Sequence, residues 1–160
     1  MKIRPFFDRA FTLIELMVVV AIIALLTGII MTNLMQSKSK SRDTQRISDI
    51  SQIQVALGLY FDRCNQFPSS LAIAENNGNS SGGVCTAGIT LGSYISKIPS
   101  PPSSGETYGY GLNGENTDYV LHTSLENANP SATANGLSGT IYSQTCSNLA
   151  NSQDYCVGPK

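Results

Sequence analysis

One carboxylate, Glu15, stands in the stretch RAFTLIELMVVV (residues 9–20), where apart from Thr12 every neighbour from Phe11 onward is apolar. A charge at the centre of a bilayer costs about 2.5–3.5 kcal/mol on insertion scales, so such a residue demands a partner. Four cysteines form the second chemical set: Cys64, Cys85, Cys146 and Cys156. None sits in C-x-x-C or at zinc-ligand distance from the only histidine, His122. An even count in a polar, Gly-rich region points to two disulfides and an oxidising compartment. Four cysteines allow three pairings, and short loops favour Cys64–Cys85 with Cys146–Cys156. No catalytic set is expected. G-x-S-x-G, phosphate-loop and H-E-x-x-H patterns are absent, and His122 alternates with apolar residues as a sheet residue would.

These groups must be positioned by a chain of 160 residues, enough for one domain. Charged residues make up only 13% and the net charge is -1, which argues against the basic footprint of a nucleic-acid binder. From Leu16 to Met35 run 20 residues without a charge, about 30 Å as a helix, the thickness of a bilayer's hydrocarbon core. The run is too long for a cleavable secretory signal and no A-x-A site follows it. Basic residues flank it on both sides, so charge leaves the orientation open. Beyond the polar QSKSKSRDTQR (36–46), Ile47, Ile50, Ile53, Leu57, Tyr60 and Cys64 recur at steps of three and four, one face of an amphipathic helix. Asn65 and Pro68 supply the break. The spacing therefore predicts one helix from Thr12 to about Arg63, apolar all round in its first half and striped in its second. KSKSRDTQR (38–46) reads as a solvated stretch beside anionic headgroups rather than a nucleic-acid patch.

Residues 65–160 carry sheet signals. Thr107–Leu112 and Asp118–Leu125 alternate Tyr, Leu or Val with small or polar residues around NGEN, which predicts a β-hairpin. A third strand is expected near Gly139–Ser143. The fold class expected is α+β, with the long helix filling one face of a small antiparallel sheet.

The stretch RAFTLIELM (9–17), with a basic ten-residue leader before it and the apolar run after it, resembles the processing site of type IV pilins and type II secretion pseudopilins. IIMTNLM, FDRCNQFP and YISKIPSPP extend the resemblance over roughly residues 1–125. The family usually has Gly where this chain has Ala10, and many members have Pro where it has Thr32. The resemblance implies the pilin fold. It divides the chain into a leader (1–10), a transmembrane or filament-core helix half (11–35), an amphipathic half (36–64) and a β-sheet head (65–160). It implies a cut between Ala10 and Phe11 by the prepilin peptidase, N-methylation of Phe11, and pairing of Glu15 with the Phe11 amine of a neighbouring subunit to set register.

The function so implied is that of a structural subunit of a type IV pilus-like filament, not an enzyme. Its partners would be other copies of itself, the peptidase/methyltransferase, a platform protein and a cytoplasmic assembly ATPase. It would begin single-pass in the cytoplasmic membrane with the head outside, then enter a surface or periplasm-spanning filament. A major pseudopilin of a secretion or DNA-uptake machine is the near alternative. A membrane-anchored extracellular binding module is the alternative of another class, and it predicts a monomer indifferent to Glu15. No cofactor is expected. Calcium is the one the resemblance raises, but Glu106, Glu115, Asp118, Glu126 and Asp154 are dispersed and form no D-x-D-x-D-G run.

Overall fold

The computed structural model describes residues 11–74, 89–130, 136–147 and 152–159, leaving aside the side chains of 29–33. The chain divides into two compact units, Met1–Lys38 and Ser39–Lys160.

The helix α1 spans Leu13–Cys64, within one residue of the expected bounds at each end. Its part in the first unit presents large apolar side chains outward on every side. Leu13, Leu16, Ile22, Ile23, Leu25 and Leu26 are all more than half exposed. Among the described residues no helix is long and apolar enough to cross a membrane. The expected span, Leu16–Met35, includes the side chains of 29–33, which lie outside the described residues.

In the second unit α1 buries one stripe. Ile50, Ile53, Ala56, Leu57, Tyr60 and Cys64 enter a core with Phe67, Leu91, Tyr108, Tyr119 and Leu121. Ile47, expected to open this stripe, is only partly buried, and Asp43, Arg46 and Asp49 are buried instead. Each fully buried aliphatic side chain here contributes about 1.5–3 kcal/mol from area removed from water. The helix stops because Asn65 adopts the left-handed conformation (φ 50°) while its N–H donates to the Phe61 carbonyl at 2.7 Å, a cap that asparagine tolerates. The chain then turns back. Phe67 N–H donates to Asn116 O, and the Phe67 ring packs on Phe61 and edge-on to Tyr119.

A single 3₁₀ turn, Leu91–Ser93, carries the buried Leu91. Strands β1 (Gly109–Leu112) and β2 (Tyr119–Ser124) form the expected hairpin with Leu112 opposite Tyr119. The third strand of this sheet is β5 (Asp154–Val157), antiparallel to β2, giving the order β1-β2-β5. The segment expected as a third strand behaves differently. Only Gly139–Ile141 is extended (β3), and it pairs with β4 (Gln144–Cys146) as a separate two-stranded sheet. Tyr142 and Ser143 form the tight connection with φ of 45° and 67°, values that hairpins usually give to Asn-Gly.

Side-chain alternation explains how two layers meet the sheet. Tyr119 and Leu121 of β2 join the helix-side core, whereas Val120 joins Cys146 and Cys156 on the other face with Leu137, Ile141 and Tyr142. In YGYGL (108–112) the tyrosines and Leu112 pack on the helix side. Gly109 and Gly111 face the β3–β4 hairpin, and a Cβ at Gly111 would collide with the Tyr142 carbonyl. Tyr142 is held by its hydroxyl, which donates to Asp118 at 2.6 Å. The α+β expectation stands, with a hairpin covering the face that the helix leaves free.

Candidate functional site

The first unit opens on Phe11, 82% exposed. Ala10, the other side of the expected cut, lies outside the described residues. Thr12 and Glu15 bind one another. Thr12 N–H donates to Glu15 Oε2 at 3.0 Å, the Thr12 hydroxyl donates to the same oxygen at 2.7 Å, and Glu15 N–H donates back to Thr12 Oγ1 at 3.3 Å. This is a capping box, in which two helix-end N–H groups that would otherwise lack partners each donate to the side-chain oxygen of the other residue. The partner that Glu15 demanded is therefore present in its own chain. The T-x-x-E spacing before an apolar run is a sequence signal for this cap. Behind it the exposed apolar surface continues to Gly28, with Thr27 Oγ1 returning a bond to Ile23 O at 2.8 Å.

The second unit carries a buried ion cluster that the sequence concealed. Arg46, read there as part of a solvated patch, has no exposed surface. Its Nη1 donates to Asp43 Oδ1 at 2.9 Å and Glu126 Oε1 at 3.0 Å. Its Nη2 donates to Ser103 Oγ at 2.7 Å and Glu106 Oε2 at 2.9 Å. Nε is buried without a partner among the described residues. Arg42 Nε donates to Glu126 Oε1 at 2.6 Å. Asp43 also accepts from the backbone N–H groups of Glu126 and Asn127 and from Asn127 Nδ2. One helical turn down, Tyr108 OH donates to Asp49 at 2.6 Å.

Burial alone would lower the Arg46 pKa, but the hydrogen bonds it donates to Glu106 and Glu126 carry it above its ordinary value. The bond from Arg42, with help from Arg46, holds the Glu126 carboxyl down at about 2. Burial and then the Asp49 carboxylate push the Tyr108 hydroxyl far above its usual value. Asp43, Arg46 and Asp49 prolong the apolar stripe toward the N-terminus at steps of three. Polar residues at in-phase positions were the available signal.

Cys146 and Cys156 form a disulfide with Cα atoms 5.8 Å apart, the pairing that loop length favoured. It ties β4 to β5. Cys64 is also disulfide-bonded, while Cys85, its expected partner, lies outside the described residues. His122 on β2 places Nε2 3.3 Å from Asp154 Oδ1 at a part-buried site. Of the carboxylates considered for calcium, Glu106 and Glu126 converge on Arg46 and the other three lie elsewhere. Glu106 and Glu126 hold the arginines, Asp118 holds Tyr142, Asp154 meets His122 and Ser152, and Glu115 sits in the exposed β1–β2 turn. Among the described residues no group of three metal-ligating side chains is placed to hold an ion.

Residues 7–31 match the prokaryotic N-terminal methylation motif. The chain is 39% identical over 63 residues to type II secretion system core protein G of Pectobacterium carotovorum subsp. carotovorum, which is 39% of this chain and 40% of that protein. It is 36% identical over 63 residues to the protein of that name in Escherichia coli (strain K12), again 39% of this chain and 43% of the relative. It is 33% identical over 75 residues to type IV major pilin protein PilA of Myxococcus xanthus (strain DK1622), 45% of this chain and 34% of that one. The match thus spans well under half the length of these curated relatives. No solved structure matches. The chain carries the prokaryotic N-terminal methylation motif at residues 7–31 and, over about two fifths of its length, is similar to type II secretion core protein G and to a type IV major pilin.

Proposed function

We propose that the chain is a structural subunit of a type IV pilus-like filament. It is made as a precursor, cut by the prepilin peptidase between Ala10 and Phe11, methylated at Phe11, and polymerised through the first half of α1. The observation that carries the reading is the conjunction of the methylation motif with a helix whose apolar side chains are exposed on every side. Such a surface is unfavourable in water and needs either lipid or copies of itself. Residues 11–35 meet both needs in turn, first in the cytoplasmic membrane with the head outside, then in the filament core. Residues 36–64 and 65–160 form the part that stays outside.

In this reading Glu15 changes partners. The Thr12 cap holds it in the free subunit, and the amine created on Phe11 of a neighbour competes for it during entry into the filament. An ion pair in a low-dielectric core adds little net stability but favours one axial register. The chain takes no catalytic role and needs no cofactor of its own. Energy for assembly comes from a cytoplasmic ATPase working through a platform protein. The similarity to core protein G favours a second reading in the same class, a pseudopilin of a secretion machine.

Mass and N-terminal analysis of the mature chain, beside an Ala10→Asp variant, tests the proposal in cells that hold the peptidase. A wild-type chain beginning at methylated Phe11 with the variant left uncut is expected. A mature chain that still begins at Met1 would overturn it and leave an anchored head.

A further inference from the structure

Val55 and Leu59 are 64% and 45% exposed, and among the described residues of the second unit no other large apolar side chain is so open. Val55 lies two positions from both Ile53 and Leu57, which are fully buried, so it stands on the side of α1 turned away from the core. Two hollows meet at it. The first, of about 500 Å³, is lined by Gly58, Phe61, Asp62, Phe67 and Tyr119; the second, of about 420 Å³, by Ser48, Gln52, Tyr94 and Ile95; Val55 lines both. We infer that this face is a contact between copies of the chain, in which the Val55 ridge of one copy seats in the Gly58 hollow of the next.

The face is complementary to itself, because it carries both projecting apolar side chains and hollows that would receive them. Gly58 lines the first hollow. A Cβ there would meet nothing within 4 Å, and alanine would make a more stable helix. The chain's own packing therefore gives no reason for glycine, whereas close approach of a second backbone does. Charge sets how two copies meet. Asp62 lines the first hollow, and Lys97 lies two residues beyond Ile95 of the second. Both are exposed, and among the described residues neither is in an ion pair. Copies joined through identical surfaces would set Asp62 beside Asp62. Joining the second hollow's side of one copy to the first hollow's side of the next sets Lys97 beside Asp62 instead. That arrangement is heterologous, and when it does not close into a ring it repeats as an open helix. A second copy is at hand because polymerisation through residues 11–35, on which this inference rests for its occupant, sets the helices of neighbouring subunits side by side.

The test is photo-crosslinking of the full chain in cells that hold the assembly machinery. A photo-reactive phenylalanine replaces Gln52, which lines the second hollow, or, as control, Ser124, exposed at the end of β2. Light should join copies of the chain through position 52 and not through 124, and mass analysis should place the bond within residues 58–67 of the neighbour. Asp62→Lys and Lys97→Glu should each cut the crosslink and the filament yield several-fold, and the two together should restore much of both. Gly58→Leu should cut both as well. Its unfolding midpoint in detergent should stay at or above the wild-type value, since the space is open and glycine is the poorer helix former. Filaments that form while no copies join through position 52 would overturn the inference and leave the proposed filament standing. So would capture of a different protein at position 52, or a Gly58→Leu chain that crosslinks and assembles like wild type. Copies that join through position 52, lose the crosslink on either charge reversal and regain it with both, yet form no filament, would support the contact and overturn the filament. Neither joined copies nor filaments would overturn both.

Discussion

Residues 13–28 and 43–64 belong to one helix and obey opposite rules. In the first stretch Leu16 and Leu25 are 62% and 70% exposed; in the second Ile53 and Leu57 are fully buried. Both stretches are helical, but the first is almost wholly apolar and the second mixes apolar with polar residues. What separates them is the distribution of polar residues around the axis. Where none interrupts the surface, no side of the helix is chosen and the whole circumference awaits partners from outside. Where Ser, Gln and Asp return at every turn, one face is chosen and the chain's own sheet covers it. In the proposed reading the helix is thus a single element with an intermolecular half and an intramolecular half.

The largest effects should fall on the intramolecular half. Leu57→Ala removes a fully buried side chain and is expected to lower unfolding free energy by about 2–5 kcal/mol, read by urea unfolding in detergent. Leu25→Ala should leave the same curve within about 0.5 kcal/mol, yet reduce filament yield. Equal losses of stability at the two positions would break the contrast. Next comes the staple behind the sheet. Replacing both Cys146 and Cys156 by Ser opens a closed loop of sequence separation 10 and should cost about 2–4 kcal/mol. Unfolding of the oxidised wild type against the double variant checks it.

The same contrast governs what the sequence could disclose. The helix was legible to within a residue at each end because Ile50, Ile53, Leu57, Tyr60 and Cys64 keep a period that only a helix satisfies, and Asn65 and Pro68 mark the stop. The β1–β2 hairpin was legible because YGYGL and YVLHTS alternate around a turn. Strands β4 and β5 were not, since QTC and DYCV are too short and polar for a period to emerge; pairing with β3 and β2, and the disulfide, make them strands. Arg46 was misread for a deeper reason. Inside KSKSRDTQR it looks solvated, and the groups that bury it lie 57 to 80 residues away. Its phase with the apolar stripe is the one local cue, because three of its four partners lie far along the chain. The Thr12–Glu15 cap is legible as T-x-x-E before an apolar run.

The acid limb of the stability curve sharpens the account of the buried cluster. Glu126 has a folded pKa of about 2 against an ordinary 4.5, chiefly because Arg42 and then Arg46 donate to it. A depressed folded pKa means that the unfolded chain binds the proton more readily. The stability that follows is fully present above pH 4.5 and is lost as pH falls through about 2. Glu126→Gln should be less stable than wild type at neutral pH, and its urea midpoint should change less between pH 4.5 and pH 2. Parallel slopes for the two chains would assign the acid limb to other carboxylates.

The smallest effect should arise at the other end of the helix. Thr12→Ala removes the hydroxyl that accepts from Glu15 N–H and donates to Glu15 Oε2. A lost N-cap costs about 1 kcal/mol, but the turn it stabilises carries no buried core. Global unfolding should therefore not move, while amide exchange at Leu13–Glu15 should quicken several-fold. Thr12→Ser keeps the hydroxyl and should restore protection. In the proposed reading the cap and a neighbour's amine compete for the same carboxylate, so loosening the cap should favour, not hinder, capture of Glu15 by an incoming subunit. Faster exchange with unchanged or quicker filament growth would separate a cap that merely holds Glu15 from one that growth requires. Slower growth would mean that the helix end must be ordered before a neighbour can read it.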